Sequence, residues 1–294
     1  MAENKTTRPR SGSSKGSTGR SRPSKKALEA EQLRLREEAL KADVVLSYLP
    51  LRADDVRKMK EGAALFTMMD ESLFDKDVVK ALLEKRITAG CLDNMLSFND
   101  EPVFANIVDE IDGRASIIYA QEFLSYVGGG KGVLLAGVAG LNPCEVLVIG
   151  DGTAAYSAAK AAMAAGAYVT LMNNDISALQ TARQYCGDSL NTVAIHPRVL
   201  YNKVKGADVI LIGECTRPFE FPKNLSIAIK DTVYVMNFNE TKPSLSVPRT
   251  VAMALSNVLV NFFGDTIIKG GIDGLVGGTP GCLLYTSPSP RDTR

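Results

Sequence analysis

Short apolar runs alternate along this chain with segments whose apolar residues return at helical spacing. Val44 to Leu49, Ala63 to Met68 and Val146 to Ile149 are runs of strand length, the last of the kind that fills a parallel strand covered on both faces. Ala53 to Lys60 and Asp75 to Glu84 read as helices, so Asp43 to about Phe104 forms a small α/β layer. Val108 to Tyr126 reads as one long helix, stopped by Gly128, Gly129 and Gly130. Further strands are predicted to begin at Glu145, Tyr168, Val193, Asp208 and Thr232. A final helix, Arg249 to Phe263, carries Val251, Leu255, Val258, Leu259 and Phe262 at the spacing of one buried face.

The densest information lies between Glu145 and Asp175, where strand, glycine turn, small-residue helix and second strand follow one another without a break. Gly150, Gly152 and Ala155 fit the G-x-G-x-x-G/A pattern of a dinucleotide-binding βαβ unit. The first glycine makes the tight turn, the second lets the backbone approach a pyrophosphate, and Ala155 keeps the helix close to the sheet. The helix from Thr153 to Ala165 is almost all alanine, slim enough to lie on strands, and its N–H groups at Thr153, Ala154 and Ala155 face the phosphate position. The second strand, Tyr168 to Met172, ends where an acid would normally meet the adenosine ribose, and here Asn173 stands there with Asp175 two residues on. Asn173 can bond a ribose hydroxyl without repelling a 2′-phosphate, so the preference between NAD, the expected cofactor, and NADP is left open by this residue. Gly213, at the end of a later strand, joins the cofactor-binding candidates. A carboxylate at Asp151 is awkward beside a pyrophosphate unless it points to solvent.

Composition adds limits. The chain has 294 residues, 45% of them hydrophobic, and a formal net charge of +1, enough for a large core and with no bias toward nucleic acid or membrane. No apolar run reaches the roughly 18–20 residues of a membrane span. Cys91, Cys144, Cys186, Cys215 and Cys282 show no metal spacing and read as reduced thiols, which points to a cytoplasmic protein with an organelle left open. Met1 to Lys26 is Ser-, Gly- and Arg-rich without Leu, Ile, Val or an aromatic residue, and is expected to be a disordered basic tail. A charged helix, Ala27 to Asp43, follows. The last residues, 282–294, resemble translated adapter sequence and are expected to stand outside the fold.

The run EIDGRASIIYAQEFLSYVGGGKGVLLAGVAGLNPCEVLVIGDGT, together with SVPRTVAMALSNVLVNFF, resembles the alanine dehydrogenase and transhydrogenase alpha-subunit family, nearer the dehydrogenase branch. The resemblance runs from about Ala42 to Phe263. It implies a Rossmann-type doubly wound parallel sheet, residues 128–246, inserted into a second, smaller α/β domain made of residues 42–127 and 247–275. It also implies oxidation of L-alanine by NAD and water to pyruvate and ammonia, a small-molecule substrate, and a homo-oligomer. Two alternatives stand beside that activity: the NAD(H)-binding alpha component of a transhydrogenase, and a noncatalytic dinucleotide-binding paralogue.

Such an oxidation needs a cation for the substrate carboxylate and a base of near-neutral pKa. The family's lysine falls at Leu49 within SYLPL, its histidine at Asp70 after LFTMMD, and its aspartate near Glu240, while the segment bearing its arginine is replaced by the basic tail. Only NETKPSL separates Asn239 from the VPRT helix, where the family carries a longer loop. Glu240, Asp70 and Arg249 form the catalytic candidate set. Arg114 and Lys131 are further cations near the expected cleft, each also readable as a solvated or paired charge. His196, the chain's one histidine, reads as a surface turn residue before Pro197.

Overall fold

The computed structural model describes residues 24–68, 75–93, 101–216, 225, 227–260 and 283–285. In the first lobe β1 (Val44–Ser47), β2 (Ala64–Thr67) and β3 (Thr88–Cys91) run parallel in that order. β2 is buried along its length, because helices cover both of its faces. On one side Val56 of α2 (Ala53–Lys58) and Val78, Ala81 and Leu82 of α3 (Lys76–Glu84) pack under Leu65. α3 begins where Asp75 accepts a hydrogen bond from the Asp77 N–H at 3.1 Å, an ordinary N-cap.

On the other side Phe66 meets Phe104 and Val108 of α4 (Val103–Leu124), together with Val251, Leu255 and Leu259 of α8 (248–260). The chain thus leaves the first lobe along α4 and comes back to it on α8. α4 begins five residues earlier than the apolar pattern predicts: Phe104, fully buried, anchors the first turn directly after Pro102. β3 was not among the expected strands, since Thr88, Ala89, Gly90 and Cys91 lack the apolar run that marks a strand. Its burial comes from neighbours that sequence does not show.

The second lobe is a parallel sheet of β4 (Glu145–Ile149), β5 (Tyr168–Asn173), β6 (Asn191–Ala194), β7 (Val209–Ile212) and β8 (Tyr234–Asn237), ordered β6-β5-β4-β7-β8. The chain moves outward from β4 to β6 and then returns to β7, so strand order reverses between β4 and β7. A crevice opens at the carboxyl ends of strands at such a point. α5 (Thr153–Ala164), α6 (Ile176–Cys186) and α7 (Pro197–Gly206) complete the α/β layers. This is the doubly wound Rossmann-type arrangement.

α4 joins the two lobes by lying on α5. A Cβ on Gly113 would sit 2.3 Å from the Ala154 carbonyl oxygen and 2.7 Å from the Ala158 nitrogen, so the two helices approach backbone to backbone at that residue. Among the described residues no helix is long and apolar enough to cross a membrane.

Three expectations about the ends need restating. α1 (Lys25–Ala39) takes in Lys25 and Lys26, which the composition had placed in the basic tail. Residues 1–23 lie outside the described residues, as do 261–282 and 286–294. Residues 282–294 were expected to stand outside the fold, yet β9 (Leu283–Tyr285) pairs antiparallel with β3.

Candidate functional site

The site is built on the turn that ends β4. Gly150 has φ +143°, and a Cβ there would lie 2.8 Å from the Glu214 carbonyl oxygen. The turn passes that close because the Asp151 N–H donates to the same oxygen at 2.8 Å. Gly152 follows at φ +88° as the N-cap of α5, with no side chain capping the first-turn N–H groups. Beyond its chain neighbours, a Cβ on Gly152 would meet no atom of the described residues within 4 Å, and this corner faces a cleft. The cleft has a volume of about 510 Å³ and runs along the carboxyl edge of the sheet past Tyr156 to Asp175 and Ser177. An uncapped helix N-terminus at the head of such a crevice presents N–H groups and a positive dipole end to an anion.

Asp151 does not point to solvent. Its side chain is 8% exposed and accepts the Thr216 N–H on both oxygens, at 2.9 and 3.0 Å, and the Asn173 amide at 3.3 Å. Those bonds hold the carboxylate against the loop after β7. The difficulty of a carboxylate beside a pyrophosphate is therefore met by internal donors and not by exposure.

Asn173, expected at the ribose, is 1% exposed and engaged at both ends of its amide, since its Oδ1 accepts the Asp175 N–H at 2.7 Å. The side chain that faces the cleft beyond β5 is Asp175, which also caps α6 by accepting the Ser177 N–H at 2.9 Å. Thr153 and Ala154 lie at the corner as expected, the Thr153 hydroxyl donating to Asn106 Oδ1 on α4 at 3.1 Å. Ala155 is buried against the sheet core. Gly213 is buried too, a Cβ there lying 3.2 Å from that of Ala155, so it serves close packing of β7 on α5 and does not line the cleft.

A second, smaller cavity of about 50 Å³ lies between the lobes, is lined in part by Thr153 and Ala154, and shares Asp151, Gly152 and Glu214 with the first. α4 contributes Asp109 and Asp112, the loop after β7 contributes Glu214, and the segment after β8 contributes Phe238, Asn239 and Lys242. Asp112 is 2% exposed and accepts the Ser244 N–H at 2.6 Å. Tyr48, just after β1, shares a 2.7 Å hydrogen bond with the Ser244 hydroxyl, so first lobe, α4 and the return segment meet in one buried network. Burial pushes the Tyr48 and Asp112 pKa values up, against the opposing pull of the Ser244 hydrogen bonds.

Burial also pushes Asp109 up to about 6; Lys242 works against the shift, while Asp112, Glu214 and Asp93 add to it. Between its ordinary 3.8 and about 6 the folded chain binds more protons here than the unfolded chain, so stability falls as pH rises through that window. Asp109→Asn is therefore expected to stabilise the fold by roughly 1–2 kcal/mol above pH 7 and to leave it unchanged below about pH 4. Urea unfolding of both proteins at the two pH values checks this.

The catalytic candidates from sequence are not gathered here. Glu240 is exposed, its Oε1 accepting from Asn237 at 3.0 Å, and Arg249 is exposed at the start of α8. Asp70 lies outside the described residues. Arg114 pairs with Glu110 at 2.7 Å on the outside of α4. Lys131 pairs with Asp208 at 2.8 Å beside the N-terminal end of β4, the far end of the sheet from the cleft. His196 is the exposed N-cap of α7. The groups that do converge, Asp109, Asp112, Lys242, Tyr48 and Ser244, were missed. One signal for them exists in the sequence: two carboxylates three residues apart on one helix, one of them adjoining Gly113.

Residues 116–217 match the family model "Alanine dehydrogenase/PNT, C-terminal domain". That segment belongs to this family. Over 162 residues the chain is 32% identical to an alanine dehydrogenase of Methanococcus maripaludis, covering 55% of this chain and 43% of that protein. The chain spans about half the length of the curated relatives it matches. Among solved structures the fold is similar to an L-alanine dehydrogenase, with a TM-score of 0.70 at 20% identity over 85% of this chain and 79% of that one. It is also similar to a transhydrogenase from Sinorhizobium meliloti, with a TM-score of 0.64 at 15% identity over 87% and 81%. The alanine dehydrogenase/PNT-type segment contains the whole glycine corner, Asp175 and the loop to Thr216. Asp109, Asp112 and Lys242 lie outside it, so the small cavity joins that segment to residues on either side of it.

Proposed function

We propose that this chain binds a nicotinamide dinucleotide, NAD in preference to NADP, and acts as an oxidoreductase of the alanine dehydrogenase type on L-alanine or pyruvate. The observation that carries the reading is the uncapped N-terminus of α5 at Gly152, open to a cleft that ends at Asp175. The residues present fit the cofactor. The N–H groups from Gly152 to Ala155 would hold the pyrophosphate, and the Asp175 carboxylate would accept from the ribose hydroxyls and repel a 2′-phosphate. When bound, the dinucleotide supplies a hydride acceptor or donor. The protein's part is to place the corner, keep Asp151 occupied by Thr216 and Asn173, and close the inter-lobe cavity behind it.

Asp175→Ala is expected to weaken NADH binding and to raise the NADPH-to-NADH affinity ratio about tenfold, a difference of about 1.4 kcal/mol. Loss of the α6 cap adds a separate stability cost of about 1 kcal/mol. Fluorescence titration with the two reduced nucleotides, beside thermal unfolding, separates these effects. Alanine-dependent reduction of NAD tests the substrate.

A transhydrogenase-type NAD(H) component is the second reading. It is favoured by Leu49, half exposed where the resemblance puts a lysine, because hydride exchange with a nucleotide on another subunit needs no amino-acid clamp. NADH binding without alanine-dependent NAD reduction, followed by reduction of an NADP analogue once a second subunit is added, would select it.

A further inference from the structure

Resting on the dinucleotide reading above, we propose that Asp109 and Lys242 are the substrate-handling pair of this chain, Lys242 holding the carboxylate of a small 2-amino or 2-oxo acid and Asp109 exchanging its amine proton. The argument starts from placement. The inter-lobe cavity adjoins the glycine corner, so a substrate in it lies against whatever the corner binds. Among the described residues that line it, only Lys242 carries a positive charge, and it comes from the short segment between β8 and α8.

The cavity's size restricts the substrate. About 50 Å³ of free space accommodates only a few heavy atoms, at roughly 10–15 Å³ for each water-sized occupant. An anionic carboxylate entering a space with Asp109, Asp112, Asp151 and Glu214 on its walls needs Lys242 as counter-charge. The carboxylates then differ in what they are free to do. Asp112 is fixed to Ser244, and Asp151 to Thr216 and Asn173. Asp109 lines the cavity and is pushed by burial up to about 6, so near neutrality it can both take and return a proton. The charges that set its titration are Lys242 on the return segment, Asp112 on its own helix, Glu214 after β7 and Asp93 after β3, with Asp151 on the same cavity wall.

The step balances in the oxidising direction. One amine proton moves to Asp109 Oδ as the Cα–H bonding pair leaves as hydride to the oxidised dinucleotide and the C=N bond forms. Water then adds to that carbon and ammonia departs, leaving the 2-oxo acid, while the Asp109 proton passes to solvent. The amino acid is oxidised and the dinucleotide reduced.

The test uses the full chain with NADH and pyruvate as probes. Carboxyl carbon NMR of the wild type should show a group titrating near pH 6 that is missing from Asp109→Asn. Lys242→Met should move that titration to higher pH by removing the one opposing charge, and should weaken pyruvate binding to the NADH-loaded protein at least tenfold. Lys242→Arg should restore pyruvate binding. NADH affinity should stay within about twofold in all three variants, which also reports that each is folded. If NADH binds normally but Lys242→Met leaves either the titration or the pyruvate affinity unmoved, this assignment is overturned and the dinucleotide reading survives. If NADH fails to bind the wild type, both fall together.

Discussion

Gly113→Ala should destabilise this protein by about 3 kcal/mol or more, lowering its melting temperature by roughly 6–12 °C. The added methyl would lie 2.3 Å from the Ala154 carbonyl oxygen, 2.7 Å from the Ala158 nitrogen and 2.8 Å from the Ser157 Cβ. Two of those three neighbours are helix backbone and cannot swing aside as the end of a long side chain would. Relief requires α4 and α5 to separate, which opens the contact between Ile117, Ala120, Ala158 and Ala159 in the core. The same separation moves Thr153 away from Asn106 and shifts the first turn of α5, so nucleotide affinity should fall with stability. Thermal unfolding followed by circular dichroism, with NADH titration on the folded fraction, measures both. A variant that melts with the wild type would show that the two helices are not in backbone contact at this position.

Gly113 also shows what the sequence can and cannot convey. The second lobe is legible because its determinants are local. Val146 to Ile149 make a strand by composition, Gly150 and Gly152 make a turn by their conformational freedom, and the alanines of α5 make a slim helix by their lack of bulk. The first lobe is less legible. β3 has glycine and threonine where a strand pattern would show branched apolar residues, and it is held by pairing with β2 at Ala64 to Thr67. Nothing within Thr88 to Cys91 announces that partner.

The inter-lobe cavity is the hardest case, because its charges come from stretches more than 100 residues apart: Asp109 and Asp112 on α4, Lys242 after β8. A carboxylate on a helix is read by default as solvated, and Asp112 becomes a buried acceptor only once Ser244 folds over it. Family motif positions misdirect for a related reason. Glu240 sits near where the resemblance places the family's aspartate, yet it is exposed after β8, while Lys242, two residues on, lines the inter-lobe cavity.

Gly152→Val should reduce NADH affinity at least about 100-fold, close to 3 kcal/mol, while costing the fold only about 1–2 kcal/mol. The two consequences separate because of the local geometry. Beyond its chain neighbours, no atom of the described residues lies within 4 Å of a Cβ at Gly152, so the valine side chain meets no steric obstacle among them. What the fold loses is the strain of a branched residue at φ +88°. A dinucleotide, in contrast, would need that space, since the N–H groups of the α5 first turn can reach a pyrophosphate only if nothing stands in front of them. Gly150 is a poorer probe: a Cβ there strikes the Glu214 carbonyl at 2.8 Å and would disturb stability and binding together. Gly62 supplies the control. At φ +75° with no neighbour within 4 Å, Gly62→Val carries the same kind of backbone strain in the first lobe, away from the corner, and should lower stability without touching NADH affinity. Should Gly152→Val bind NADH as tightly as the wild type while Gly62→Val shows the expected loss of stability, the corner would be a tight turn and nothing more.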